Sequence, residues 1–193
     1  MNKNNYNQLL LINKIMCVVS YLFLIALIFM ITIPWLCPQS EIGKFLLSLQ
    51  DFSAVMDRTH NNINDFMLSI TPISRILGLI GSMFASLPLL LATIIMIKIS
   101  GNYKKYQVFD IKNAILYSRL GYVYLVGALL LLPLYEIFFY AAVTINNPHG
   151  QRFIAFSIGI ENITAVFFAI ALVTIGQVMK LGYKISEEQQ LTI

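Results

Sequence analysis

Four long apolar runs limit what this chain can fold into more than any other feature. They cover residues 15–36, 76–97, 120–144 and 153–178; the first two carry no charge, and the others carry one glutamate each, Glu136 and Glu161. About 20 apolar residues in a helix cross the ~30 Å hydrocarbon core of a bilayer. Only 11% of the 193 residues are charged, against about 25% in soluble domains. That excludes a disordered chain and a basic nucleic-acid-binding domain, and it argues against an ordinary soluble enzyme. The expected fold is all-α: a polytopic membrane protein with a single four-helix transmembrane domain over residues 1–193.

The first run reads as a retained span rather than a signal peptide. It is too long for a signal core, lacks an A-x-A site, and the residues before Cys37 lack the small side chains of a lipoprotein site. Trp35 near its end reads as an interfacial belt residue. Lysine and arginine then orient the spans. Lys3, Lys14, Lys98, Lys104, Lys105, Lys112, Arg119, Lys180 and Lys184 fall on one side, and Lys44, Arg58, Arg75 and Arg152 on the other. The richer side is expected in the cytoplasm, together with both termini.

The first outer loop, residues 38–72, exceeds a simple turn. Ile42, Phe45, Leu46, Leu49 and Phe52 recur at helical spacing, as do Ile63, Phe66, Met67 and Ile70. These predict amphipathic helices on the outer interface, separated near residues 58–62. They act as a cap on the bundle or as a lid that receives a ligand. On the other side, Asp110 predicts an N-cap for a helix starting at Ile111. Pro88 and Pro133 lie inside spans two and three and should kink them. Gly78, Ser82 and Ser86, with Gly81 and Ala85 alongside, permit close helix approach within the molecule or in a dimer.

Metal and disulfide chemistry find little support. Cys17 and Cys37 stand about 30 Å apart along a helix. His60 and His149 sit apart in loops, and no ligand spacing for zinc exists. No cofactor is expected. The residues most able to carry chemistry are the two membrane acids, because charge inside a bilayer is costly. Glu136 lies eight residues before Thr144, and Glu161 eight after Phe153. Helical counting puts both about 12 Å below the outer boundary. Tyr140, Ser157 and Thr164 sit at helical spacing beside them, and Ser82 of span two is expected to complete a polar layer. A structural hydrogen-bonded pair, a site for a cation or small polar ligand, and a proton-coupled step all fit this pattern. No span holds a histidine or a nucleophile–base pair, so the chain is read as non-enzymatic.

Two stretches resemble bacterial domain-of-unknown-function family 2975. Tyr106-Gln107-Val108-Phe109-Asp110-Ile111-Lys112-Asn113, with Gly121-Tyr122 following, is similar to its pattern of a Phe, a capping Ser or Asp, an Asn three residues on, and a Gly opening the next span. Glu187-Glu188-Gln189-Gln190-Leu191-Thr192-Ile193 resembles its acidic ending. Asp110 departs from the commoner Ser, though both cap helices. The resemblance implies an inner-membrane protein, often encoded beside small helix-turn-helix regulators, with no established activity.

The expected function is therefore regulatory or interactive, signalling to a cytoplasmic partner such as a small helix-turn-helix regulator, without direct nucleic-acid contact. The partner-facing candidates are Phe109, Asp110 and Asn113, together with Glu187, Glu188, Leu191, Thr192 and Ile193. The tail would be solvated, docked on the chain's own cytoplasmic loop, or bound by a partner. The alternative is a transporter-like or ligand-binding protein using Glu136 and Glu161, with homo-oligomers able to complete it.

Overall fold

The computed structural model describes residues 3–49, 66, 70–104 and 110–191. Its elements are α1 (Lys3–Leu36), α2 (Glu41–Ser48), α3 (Pro72–Lys104), α4 (Ile111–Val126), a π-helical turn (Gly127–Leu131), α5 (Leu132–Thr144) and α6 (Ile160–Leu191). No strand occurs among the described residues. Four stretches are long and apolar enough to cross a membrane: Leu10–Leu36, Pro72–Tyr103, Ile111–Thr144 and Ile160–Gln189. The chain is an all-helical, multi-pass membrane protein.

Local chemistry fixes the helix ends. Asp110 is extended and accepts a hydrogen bond from the Lys112 amide at 2.9 Å, so α4 begins at Ile111 as its cap requires. Ser40 does the same for α2, accepting from Gly43 N at 3.0 Å. The α2 helix is amphipathic as expected. Leu47 is buried, Ile42 and Phe45 are exposed, and Lys44 pairs with Glu41 at 3.0 Å on the polar side. Its expected companion over residues 63–70 lies mostly outside the described residues. Only Phe66, buried, and Ile70 are described there.

The fourth span differs from the reading above. Its apolar run starts at Phe153, but the helix starts at Ile160, and residues 152–159 are not helical. Hydropathy measures the length of an apolar stretch and is blind to its conformation. Pro133 also acts differently from a plain kink: it follows a π-helical turn, which widens the helix just ahead of the proline ring.

The chain divides into two compact units. Unit 1 comprises Met1–Ile25, Pro88–Leu129 and Ile160–Ile193, and unit 2 comprises Ala26–Leu87 and Leu130–Gly159. The charges sort with them. Lys14, Lys98, Lys112, Arg119, Lys180 and Lys184 belong to unit 1, whereas Lys44, Arg75 and Arg152 belong to unit 2.

Unit 1 is held by close helix contact and a polar frame. A Cβ at Gly121 would stand 2.6 Å from Val173 Cγ2 and 2.7 Å from the Ala169 carbonyl, so α4 and α6 approach backbone to backbone. Asn13 Nδ2 donates to Ser100 O at 2.8 Å, tying α1 to α3. Asn102 Nδ2 donates to Asn113 Oδ1 at 2.8 Å, and the Tyr103 and Tyr117 hydroxyls meet at 2.9 Å, tying α3 to α4.

Unit 2 has a core of Trp35, Leu47, Phe66, Phe139, Ala142 and Val143. Trp35 is fully buried, which corrects its reading as an interfacial belt residue. Its indole Nε1 donates to Ser82 Oγ at 2.7 Å, so the one polar atom of a large apolar side chain is satisfied. Gly78 makes room for the ring, because a Cβ there would overlap the indole. The small-residue stripe on α3 thus serves packing inside the molecule.

Candidate functional site

The site is built where the chain turns back along α5. Thr144 ends that helix, and its hydroxyl donates to the Phe153 carbonyl at 3.2 Å. Eight residues earlier, the Glu136 carboxylate accepts from the Ser157 amide and, at 3.0 Å, from the Ser157 hydroxyl. Eight helical residues span about 12 Å. The four steps from Phe153 to Ser157 cover that distance only when close to fully extended, at about 3.3 Å each. An extended segment therefore descends α5 by two turns, pinned at Thr144 and at Glu136.

Extension has two consequences that the structure shows. Side chains alternate over residues 153–156: Phe153 and Ala155 are half-buried, while Ile154 and Phe156 are exposed. Main-chain groups alternate too. The Phe153 and Ser157 amides and the Phe153 carbonyl are turned to α5 side chains. Ile154, Ala155 and Phe156 make no hydrogen bond among the described residues. Main chain without partners is expensive in lipid and is tolerated where water or protein reaches it. On the α5 edge the Glu136 carboxylate lies beside the unpartnered main chain of Ala155, and a carboxylate there suits a small polar ligand or a cation.

The sequence-derived candidates sort clearly. Glu136 and Ser157 come together. Tyr140 flanks them, its ring 5.4 Å from that of Phe153 and edge-on to Phe139 at 6.3 Å. Thr164 is spent on its own helix, donating to Ile160 O at 2.8 Å. Ser82 belongs to Trp35 rather than to a polar layer. Glu161 is exposed in the first turn of α6, where an acid favours the helix N-terminus. The equal-depth argument assumed a helix from residue 153; with the helix starting at Ile160, that count no longer applies to Glu161. The twenty helical steps from Ile160 to Lys180 cover about 30 Å, a full hydrocarbon core. Glu161 thus stands at one end of its span.

Of the partner-facing candidates, Asp110 is a cap, and Asn113 is fully buried and bonded to Asn102. Glu187 and Glu188 are exposed on α6, which closes at Leu191. Phe109, Thr192 and Ile193 lie outside the described residues. Asn162 was not among the sequence-derived candidates. It is buried and donates from Nδ2 to the Ala128 carbonyl at 2.7 Å. Its signal was Pro133, five residues beyond Ala128. Among the described residues no cluster of His, Cys, Asp or Glu could hold a metal ion.

A family whose description reads "Protein of unknown function (DUF2975)" matches residues 52–193. The chain belongs to the DUF2975 family. The match takes in α3 to α6, hence the whole Glu136–Ser157 clamp and the Asp110 cap. No curated protein and no solved structure matches this DUF2975 member.

Proposed function

We propose that this DUF2975 protein is a non-enzymatic regulatory or interaction protein of the bacterial inner membrane, acting on a cytoplasmic partner. The observation that carries this reading is the length of α6. Its apolar stretch ends near Met179, yet the helix continues to Leu191. Eleven residues beyond Lys180 make an arm of about 16 Å. Lys180, Lys184, Glu187 and Glu188 are exposed along it. A charged helical arm gives a soluble partner a rigid, addressable surface, and the fixed polar frame of unit 1 gives that arm a stable base. A small helix-turn-helix regulator is the partner class that the family resemblance favours.

In this reading both ends of the chain lie in the cytoplasm and residues 38–72 lie outside. The separation of basic residues between the units supports it. The test of function is a tagged pull-down from native membranes, comparing the full chain with one lacking residues 187–193. Loss of a cytoplasmic partner with unchanged insertion is the expected result. Identical captured proteins would reject the arm as a recognition element.

A second reading has its own observation. Glu136 beside the unpaired main chain of Ala155 on the same edge supports binding of a cation or small polar ligand. Glu136→Gln keeps an acceptor and removes the charge. Loss of cellular function in a correctly inserted Gln variant favours this reading, and full function disfavours it.

A further inference from the structure

The geometry points to a binding site for a membrane-dissolved quinone inside unit 1, in a cavity lined by α1, α3, α4 and α6. The cavity measures about 560 Å³, and every residue lining it belongs to unit 1. None of those residues is charged. An ion or a charged head group would find no counter-charge there, and charge in an apolar wall is costly. Ala92, Thr93 and Leu120 are buried and lie on its closed side. Val19, Phe23 and Phe168 line it too, yet they are exposed within their spans. The exposed face of a spanning helix meets lipid, so the cavity opens to the bilayer and takes its ligand from there.

The class of ligand follows from the hydroxyls in the lining. Thr93 donates its own to the Leu89 carbonyl at 2.7 Å, as Thr32, Ser86 and Thr174 do to carbonyls four residues back. Ser20 on α1 and Tyr124 on α4 have no such partner among the described residues. Lys14 stands six positions before Ser20, and Arg119 five before Tyr124. Both residues therefore lie about 8 Å deeper than the last basic residue of their helix, at matching depth. Lipid tails cover the apolar walls but give these two donors nothing, and a hydroxyl without a partner in hydrocarbon is costly. A ligand that satisfies both brings two acceptors on an uncharged, apolar body. A quinone has that form: one ring carbonyl for each hydroxyl, flat faces for the Phe23 and Phe168 rings, and a tail that leaves through the open side. Size agrees. At about 30 Å³ for a water-sized group, the cavity takes on the order of 20 non-hydrogen atoms, a ring and the start of its tail. An ester lipid with two acyl chains exceeds it.

Photolabelling of the full chain in phospholipid nanodiscs tests this, with a short-chain azidoquinone as the probe. The label should saturate at one site per chain and fall in peptides that carry Tyr124 or Phe168. Decylubiquinone should displace it, whereas dioleoylglycerol and hexadecane at the same membrane concentration should not. Tyr124→Phe and Ser20→Ala should each weaken quinone binding roughly fivefold, with an unchanged thermal midpoint. The double variant should lose roughly twentyfold or more. A label that decylubiquinone does not displace, or that falls outside the cavity, overturns the proposal. Equal displacement by dioleoylglycerol or hexadecane makes the cavity a general lipid groove and overturns the quinone assignment. Unchanged affinity in the double variant overturns it as well, because the two hydroxyls are then not what the ligand meets.

Discussion

Asn162 donates its side-chain amide to the main-chain carbonyl of Ala128 at 2.7 Å, and Pro133 explains why that carbonyl needs it. In a π turn each carbonyl accepts from the amide five residues on. For Ala128 that residue is Pro133, which has no N–H. The bond that the proline withholds is supplied from α6.

Removing the donor should therefore be costly. Asn162→Ala is expected to destabilise the protein by about 1–3 kcal/mol, because it strands a buried acceptor. In Pro133→Ala the main chain regains a donor, so the double variant should lose less than the sum of the single losses. Urea unfolding in mixed micelles across the double-mutant cycle measures the coupling.

The environment of Trp35 gives a second expectation. Ser82→Ala leaves the indole N–H without its acceptor and should cost about 1–2 kcal/mol. Gly78→Ala forces a methyl group into the ring and should cost about 1–3 kcal/mol. Thermal unfolding of each variant checks the order, and a neutral Gly78→Ala would contradict the packing of α1 on α3.

The clamp predicts a difference between two substitutions at one position. Glu136→Ala removes both acceptors for Ser157, so the segment over residues 153–159 should detach and exchange its amides faster. Glu136→Gln retains one carbonyl acceptor and should stay nearer the parent protein. Hydrogen exchange read by mass spectrometry on peptides covering 151–160 separates them.

At α4 the cap can be tested through the chemistry that distinguishes Ser, Asp and Ala. Asp110→Ser should be near neutral, since its hydroxyl can accept from the same amides. Asp110→Ala should cost about 0.5–2 kcal/mol, read as a lower unfolding midpoint in detergent.

Much of this architecture was legible in the residues. The spans followed from run length, the α4 start from Asp110, and close helix approach from Gly78. The extended segment was not, because an apolar stretch reads alike as helix or strand until its partners are known. The alternation of Ile154, Phe156 and Ile158 was visible but is short enough to fit either period. Trp35 misled for a related reason. Tryptophan at the end of a span suits a membrane interface, and only the tertiary contact with Ser82 shows that this one is enclosed. Glu136 was singled out for its place in an apolar run. Its partner, Ser157, sits on backbone that only the folded chain brings alongside.

The chain has a single tryptophan, and it lies in the core of unit 2 with its indole hydrogen-bonded. Intrinsic fluorescence therefore comes with a built-in address. Emission should be blue-shifted in the native protein and should report only on the surroundings of that core. Far-ultraviolet dichroism, by contrast, averages over every helix. Recording both signals through one denaturation needs no label and no substitution, and it distinguishes a molecule that comes apart in one step from one that releases its aromatic core first.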